Sequence, residues 1–183
     1  VIVFCARQKT VEEVAEFLQQ AGLDCGYFHG GMRSEDKRAV QDSFIRGELR
    51  AIAATNAFGM GIDKSNIRYV LHYNLPKNLE AYYQEAGRAG RDGEPSECIL
   101  LYSPQDVLVQ KYLIEQTVYA PARKKNELDK LQTMIDYAHT SRCLRQFILE
   151  YFGEEEIPER CGNCSNCLEQ AEVDLTEEAQ KIF

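Results

Sequence analysis

Short apolar runs alternate with amphipathic stretches through the first part of the chain. Continuous β-branched runs are typical of strands buried in a parallel sheet. Such runs occur at residues 1–5, 25–28, 51–55, 67–73 and 98–102, and the stretches between them repeat apolar residues at helical spacing. This alternation predicts an α/β domain, with a parallel sheet and helices on both faces.

Polar residues predict where the helices begin and end. Thr10-Val11-Glu12-Glu13 fits a capping box, so the first helix is predicted to open there. Ser34 is the predicted cap of the second helix, and Asn78 is that of a third helix ending at Gly87.

The pattern changes after residue 103. Strand-like runs stop, and residues 105–116, 122–138 and 141–151 have helical spacing. Gly153 and Pro158 then interrupt the chain before a group of cysteines. We therefore predict a first domain over residues 1–103 and a small helical domain over residues 104–170, with an acidic segment over residues 171–183.

Charge and composition exclude some classes of protein. The net charge of −8 belongs to residues 150–183, which hold ten acidic and two basic side chains, so residues 1–149 are neutral. No apolar run approaches the roughly 20 residues of a membrane span, and because no charged-then-apolar segment is seen, we expect no secretory signal. Seven cysteines without a leader fit reduced thiols and a metal site better than disulfides.

Three cysteines, Cys161, Cys164 and Cys167, follow one another in a C-x2-C-x2-C run. This spacing lets successive thiolates turn toward one ion, and Cys143 upstream is the fourth candidate ligand, with His139 as its competitor. Spacing favours a closed four-cysteine zinc site, which would be structural rather than catalytic. An iron–sulfur cluster is the alternative.

Two arginines stand three residues apart in Gln84-Glu85-Ala86-Gly87-Arg88-Ala89-Gly90-Arg91-Asp92-Gly93. At this spacing on a helix or tight turn, both guanidinium groups project to one side. A guanidinium is permanently charged and forked, which suits a polyphosphate. The simpler interpretation is a solvated turn that closes a helix, because glycine and arginine both favour helix C-termini.

The complete string resembles the last motif of superfamily 2 helicases, and in particular that of the RecQ DNA helicases. The resemblance covers nearly the whole chain. Residues 1–7 resemble the family's strand-plus-arginine segment, and residues 54–64 resemble its fifth motif. Residues 27–32 are similar to its Tyr-His-Ala-Gly-Leu segment, but they carry an extra aromatic residue and a glycine in place of alanine.

The resemblance implies a second RecA-like motor lobe over residues 1–103, then a helical platform and a zinc module over residues 104–170. Cys143, Cys161, Cys164 and Cys167 match the family's zinc ligands. Residues 171–183 would be a linker toward a winged-helix domain that the chain does not include.

The implied function is that of an ATP-dependent DNA helicase, which unwinds DNA 3′ to 5′ in repair and recombination. ATP and Mg²⁺ would lie between this lobe and a first RecA-like lobe. The chain has no G-x-x-x-x-G-K-[ST] loop and no Asp-Glu pair, which the family carries in that first lobe. We therefore expect a fragment of a longer enzyme that is inactive alone.

The nucleotide contacts also follow from the resemblance. Arg91 is the predicted arginine finger, and Arg88 is predicted to contact phosphate or to position the finger. Gln84, Asp63 and Gly61 are the predicted nucleotide-binding residues. For Asp63, a turn-capping carboxylate is the alternative.

Six residues are predicted to contact single-stranded DNA: His29, Gly30, Thr55, Asn56, Lys64 and Lys77. Amides and hydroxyls in these loops could hold phosphates. The simpler alternatives are a hydrogen-bonded loop histidine, a strand-end threonine cap and solvated lysines. The loops after the first three strands are predicted to open at the carboxyl edge of the sheet, and the arginine turn is predicted to face the same edge.

The implied partners are single-stranded and junction DNA, the first motor lobe and a single-stranded-DNA-binding protein, without a membrane. The expected location is a bacterial cytoplasm or a eukaryotic nucleus. A DEAD-box RNA helicase lobe is the nearest rival, which the cysteines and Phe58-Gly59-Met60-Gly61 disfavour. A zinc-stabilised interaction module without motor activity is the other alternative, and the pair Arg88 and Arg91 disfavours it.

Overall fold

The computed structural model describes residues 1–59 and 64–169, and the chain divides into two compact units, Val1–Met134 and Ile135–Phe183. Within the described ranges, the strands are β1 Ile2–Phe4, β2 Cys25–Phe28, β3 Ala51–Ala54, β4 Tyr69–His72 and β5 Glu97–Leu100. The helices there are α1 Gln8–Gln20, α2 Ser34–Arg46, α3 Leu79–Ala86, α4 Pro104–Thr117, α5 Pro121–His139, α6 Leu144–Tyr151 and α7 Ser165–Glu169.

These strands form one parallel sheet in the order β2-β3-β1-β4-β5. Val3 at its centre lies opposite Ala53 of β3 and Leu71 of β4. Separate buried clusters form around the strands, one with Val11 of α1 and the other with Phe44 of α2. The predicted RecA-like α/β architecture, followed by a helical region, is confirmed. The carboxyl ends of parallel strands meet at one edge of the sheet, where functional loops collect.

Helix α1 begins two residues before the predicted capping box. Arg7 has extended backbone, with φ −129° and ψ 148°, and is the N-cap residue. Thr10 therefore lies inside the first turn, and Glu13 pairs with Lys9 at 3.5 Å. The capping-box prediction is wrong because the chain turns into helix at Gln8, shortly after β1 and before the residues that fit the box.

The predicted N-cap of α2 is wrong, whereas the predicted start of α3 is confirmed. Arg33 is the N-cap of α2 and Ser34 is already helical, so the prediction of a serine cap is wrong. The prediction of Asn78 as the cap of α3 is confirmed, because its Oδ1 accepts a hydrogen bond from the N–H of Ala81 at 2.9 Å. Asn78 is buried, so α3 has a firmly held start.

The division between the units falls within α5, whereas the sequence pattern predicts a domain boundary at 103/104. Helix α4 lies in the first unit, where its side chains bind the loop that follows β4. Asp106 accepts hydrogen bonds from Asn74 Nδ2 and Leu75 N, and Gln110 donates to the Leu75 carbonyl at 2.8 Å. None of the helices in the described part of the chain is both long and apolar enough to cross a membrane.

We expect Phe58→Ala to lower the free energy of unfolding of this chain by about 3–5 kcal/mol. Phe58 is 1% exposed, and its ring lies edge-on to Phe28 and Phe44, with centroids 5.0 and 5.9 Å away. Denaturant unfolding with an unchanged m-value measures the loss. Phe17→Ala is the matched control, because Phe17 is 68% exposed. A loss for Phe58→Ala as small as that of the control would contradict this account of the core.

Candidate functional site

The arginine turn, residues 87–93, lies where β4 and β5 begin, so the prediction that it faces the carboxyl edge is wrong. The N–H of Gly90 donates to the carbonyl of Ile67, just before β4, at 2.9 Å. Helix α3 starts at the carboxyl edge and connects two parallel strands, so it must run back toward their amino ends. The turn that follows it therefore emerges at the opposite edge.

An ion pair holds this turn to the sheet. Arg68 pairs with Asp92 through Nη2 and donates from Nη1 to the carbonyl of Pro95 at 3.2 Å. The hydrogen bond from Arg68 is the largest cause that lowers the pKa of Asp92. The carboxylate next to Arg91 is therefore charged and engaged by Arg68, so the turn has a defined backbone.

Arg91 is exposed on this turn, and its Nε donates to the carbonyl of Gly87 at 3.1 Å. Among residues 1–59 and 64–169, no carboxylate forms an ion pair with it. The guanidinium is thus oriented by one backbone contact and remains accessible from solvent. An anion brought by another part of a larger protein can reach it.

Arg88 is placed differently, half-buried against the loop that follows β3. Its Nη1 donates to the carbonyl of Gly59 at 3.0 Å. Gly59 has φ 144°, and a Cβ there would lie 2.2 Å from Nη2 of Arg88, so a side chain has no room. Burial, and after it the charge of Arg91, lowers the pKa of Arg88. Its Nε is buried without a hydrogen-bond partner in the described part of the chain.

The structure describes only one of the three predicted nucleotide-binding residues. Gln84 is exposed in the last turn of α3, just before the arginine turn. Gly61 and Asp63 lie outside the described residues. Gln84 is thus located just before Arg88 and Arg91 along the chain. Its role, like the roles of Gly61 and Asp63, stays a prediction from sequence.

Four of the predicted DNA contacts lie together at the carboxyl edge, where β2 and β3 are neighbours. Thr55 is buried, and its N–H donates to the carbonyl of Phe28 at 3.1 Å. Asn56 and Gly30 beside it are exposed. Nδ1 of His29 accepts from the N–H of Gly31, so its Nε2 carries the proton and donates to Glu12 at 3.0 Å. Both ring nitrogens of this buried histidine are therefore occupied.

The two predicted DNA-binding lysines lie at opposite edges. Lys77 is exposed in the loop after β4, at the carboxyl edge. Lys64 donates to the carbonyl of Ile45 near the end of α2, and its Nζ lies 5.5 Å from the centroid of the Phe44 ring. The end of α2 leads to the start of β3, so the structure does not bring Lys64 together with Thr55 and Asn56.

Sequence reasoning missed a cavity of about 330 Å³ at the carboxyl edge of the first unit. Phe4, His72 and Asn56 line it from the sheet side, and α4 and α5 contribute other walls. His72 is 1% exposed, and its Nε2 lies 2.9 Å from Oε2 of Glu85. A histidine at the end of an otherwise apolar strand was the available signal for this feature.

The four predicted metal ligands converge in the second unit. The Sγ atoms of Cys143, Cys161, Cys164 and Cys167 all lie within 4.8 Å of one another. The pair Cys161–Cys167 is 4.0 Å apart, and the pair Cys164–Cys143 is 3.9 Å apart. Tetrahedral zinc with Zn–S bonds of about 2.3 Å separates its sulfurs by about 3.8 Å. His139 is exposed at the end of α5 and lies outside this group.

The donor set fits a single soft ion. Desolvation raises the pKa of Cys161, but the N–H groups of Asn163 and Cys164 donate to its Sγ and make the net shift downward. Nδ2 of Asn166 donates to the carbonyls of Thr140 and Arg142, both at 2.7 Å, and so fixes the segment before Cys143. Iron–sulfur clusters spread their thiolates over several irons, whereas these sulfurs crowd around one point.

Comparison with known families identifies both parts of the chain. The model of the helicase conserved C-terminal domain matches residues 1–93, and the RecQ zinc-binding model matches residues 104–168. The chain belongs to the RecQ helicase family. The prediction drawn from the arginine string and the cysteine run is thereby confirmed.

Relatives of this RecQ-family chain are much longer. It is 50% identical over 183 residues to the ATP-dependent DNA helicase RecQ of Bacillus subtilis (strain 168), covering 100% of this chain and 31% of that relative. It is 39% identical over 189 residues to the ATP-dependent helicase SGS1 of Saccharomyces cerevisiae, covering 99% of this chain and 13% of that relative. The chain thus spans less than a third of the length of either relative.

Solved structures show the same fold. The C-terminal domain of the DEAD-box protein Dbp5 matches with a TM-score of 0.53 and 22% identity, over 85% of this RecQ-family chain and 71% of that domain. At this identity the likeness concerns the fold alone. The DEAD-box lobe and this lobe share an architecture, while the zinc-binding match assigns the chain to RecQ.

Proposed function

We propose that this chain is the C-terminal motor lobe and zinc module of an ATP-dependent DNA helicase, and that it supplies an arginine finger to a nucleotide held by another lobe. The observation that carries the proposal is the exposed guanidinium of Arg91, held on a turn by Gly87 and Arg68 and free of any carboxylate in the described ranges. A permanently charged group so presented suits a polyphosphate from a partner surface.

Arg91 would neutralise the negative charge that builds on the γ-phosphoryl oxygens during transfer. Arg88 would position this finger, because its own guanidinium is occupied by Gly59 and is half-buried. Arg88 could also contact phosphate itself. Its Nε–H is buried without a hydrogen-bond partner in the described ranges, and an approaching phosphate oxygen would accept from it. Gln84, Gly61 and Asp63 would complete the nucleotide contacts, and Mg²⁺ would be held by the first lobe.

The DNA strand would follow the carboxyl edge of the sheet. The exposed segment around Gly30, the Thr55–Asn56 turn and Lys77 are presented there. Since the ring of His29 is fully hydrogen-bonded, this segment would contact phosphates through its backbone. Lys64 is at the other edge, and we leave it out of the strand path.

The two functional edges are joined by the loop that follows β3. Thr55 begins this loop at the DNA edge, and Gly59 in the same loop binds Arg88. Movement of the loop on strand binding would therefore reach the arginine turn through a direct contact. This supports a motor in which strand and nucleotide influence each other. By resemblance to the family, the motor would move 3′ to 5′ along single-stranded DNA and unwind duplex and junction DNA, with a single-stranded-DNA-binding protein as a further partner.

The zinc module would be structural. Four thiolates close the coordination shell of zinc and leave no position for a substrate or water. The cluster joins Cys143, at the start of α6, to the segment that carries Cys161, Cys164 and Cys167. Bound zinc would stabilise a unit with few other buried side chains.

Residues 1–183 alone are expected to hydrolyse no ATP, with or without single-stranded DNA, whereas the full-length protein is expected to do so. The physical reason is that this lobe has no phosphate loop. A steady-state phosphate-release assay measures both samples, and circular dichroism and zinc content show that the shorter sample is folded. Turnover by the shorter sample would contradict the proposed division of labour. A full-length protein without turnover would favour the interaction-module alternative.

A further inference from the structure

His72 and Glu85 form a buried pair between the sheet and α3. His72 ends β4 and is 1% exposed, while the side chain of Glu85 is 13% exposed. The imidazole ring stacks on Phe4 and lies tilted against Tyr82, with centroids 5.4 and 4.9 Å away. These two aromatic contacts and the bond to Glu85 together restrain the orientation of the ring.

Glu85 is the residue through which this pair reaches the arginine turn. Its own carbonyl accepts the N–H of Arg88 at 3.3 Å, and its charge raises the pKa of Arg88 against the larger effect of burial. The N–H of Ala89 donates one residue further on, to the carbonyl of Ala86 at 3.0 Å. A displacement of Glu85 therefore displaces the start of the turn that carries Arg91.

We propose that His72 is a positioning residue for the arginine turn, which it holds in place through Glu85. His72 also lines the cavity at the carboxyl edge, together with Asn56 and Lys77. The pair thus links a wall of the proposed strand path to the turn at the opposite edge, by a route separate from the contact between Gly59 and Arg88. The inference rests on the proposed function in one respect only, the role of Arg91.

Another ion pair of α3 lies away from the arginine turn. Glu80 in its first turn pairs with Lys130 at 2.6 Å, far along the helix from Arg88. Nδ1 of His72 has no hydrogen-bond partner in the described ranges, so the bond to Glu85 is the polar contact that orients the ring there. Loss of that bond removes a buried polar contact between the last turn of α3 and β4.

The test uses the full-length protein and two kinds of variant. His72→Phe keeps an aromatic ring next to Phe4 and Tyr82 but removes the bond, and Glu85→Leu removes it from the other side. Both are expected to lower kcat for ATP by about 10²-fold, with KM for ATP changed less than about twofold, because misplaced catalytic groups affect the rate more than binding. Glu85→Gln keeps an acceptor oxygen and is expected to recover most of the loss. Glu80→Leu, on the same helix, is the control with unchanged turnover.

Amide hydrogen exchange separates positioning from a general loss of structure. In both variants, the amides of residues 87–90 are expected to exchange faster, while those of α1 keep their parental rates. The double variant His72→Phe/Glu85→Leu is expected to lose no more activity than either single one, because both remove the same contact.

Three results would overturn the inference: a kcat loss under twofold in both single variants, additive losses in the double variant, or faster exchange throughout the first unit. The exchange measurement does not depend on ATP chemistry. If Arg91 proves dispensable, the proposed function fails, and the exchange pattern still decides whether His72 positions the turn.

Discussion

Replacing Arg91 by alanine in the full-length protein is expected to lower ATP turnover by about 10³–10⁵-fold. The guanidinium is exposed, is held by the carbonyl of Gly87, and has no carboxylate partner in the described part of the chain. Its charge is therefore available to a transferring phosphoryl group. The guanidinium charge stabilises mainly the negative charge that develops in the transition state, so the affinity for ATP itself is expected to change little.

Steady-state hydrolysis measures the turnover, and a fluorescent ATP analogue measures binding in the same samples. Arg91→Lys is a useful companion, since it keeps the charge and loses the fork, and it should recover only a small part of the rate. Arg46→Ala is the matched control, because Arg46 is also an exposed arginine but pairs with Glu48 at 2.6 Å. Turnover within threefold of the parent in Arg91→Ala would remove the basis of the proposed function.

Removing zinc, or replacing Cys164 by serine, is expected to unfold the second unit while the parallel sheet of the first unit persists. Structural zinc contributes about 10–16 kcal/mol of apparent binding free energy in small zinc domains, which exceeds the stability of most domains. In the described part of this unit, few side chains are buried, and two of them belong to the proposed ligands Cys143 and Cys167. The metal therefore replaces a hydrophobic core.

Chelator titration followed by circular dichroism measures this effect, and elemental analysis gives the metal content. Cys98→Ser is the control, because Cys98 lies in β5 outside the cluster and should leave the zinc content at one per chain. Iron in place of zinc, or a folded second unit without any metal, would contradict the assignment. If the first unit keeps its secondary structure after chelation, the two units are stabilised independently.

Much of the fold was predictable because its signals are local. Five apolar runs became five parallel strands, and the side chain of Asn78 caps α3 as its position indicated. Cys161, Cys164 and Cys167 converge as their spacing indicated, since a C-x2-C-x2-C run brings its thiolates together by local turns, whereas Cys143 joins them from the start of α6. The order of the arginine string and the cysteine run was enough to predict the family.

The predictions that were wrong depended on the tertiary structure rather than on local sequence signals. The start of α1 was misplaced because Arg7, three residues after β1, has the extended backbone of the N-cap, so the helix begins before the capping signal at Thr10. Lys64 was assigned to the DNA edge by its place in a motif, yet its side chain turns to Ile45. Sequence motifs say which residues occur near each other along the chain, but they do not say which edge of a sheet each one reaches.

Local sequence was thus sufficient for the strands, most of the helices and the family. Tertiary structure was needed to place the arginine turn at the edge opposite Thr55 and Asn56, to separate an exposed Arg91 from a half-buried Arg88, and to join His72 with Glu85. The reason is that spacing and periodicity encode contacts within a few residues. The direction of a crossover helix, and the pairing of side chains from different elements, depend on how the whole sheet is assembled.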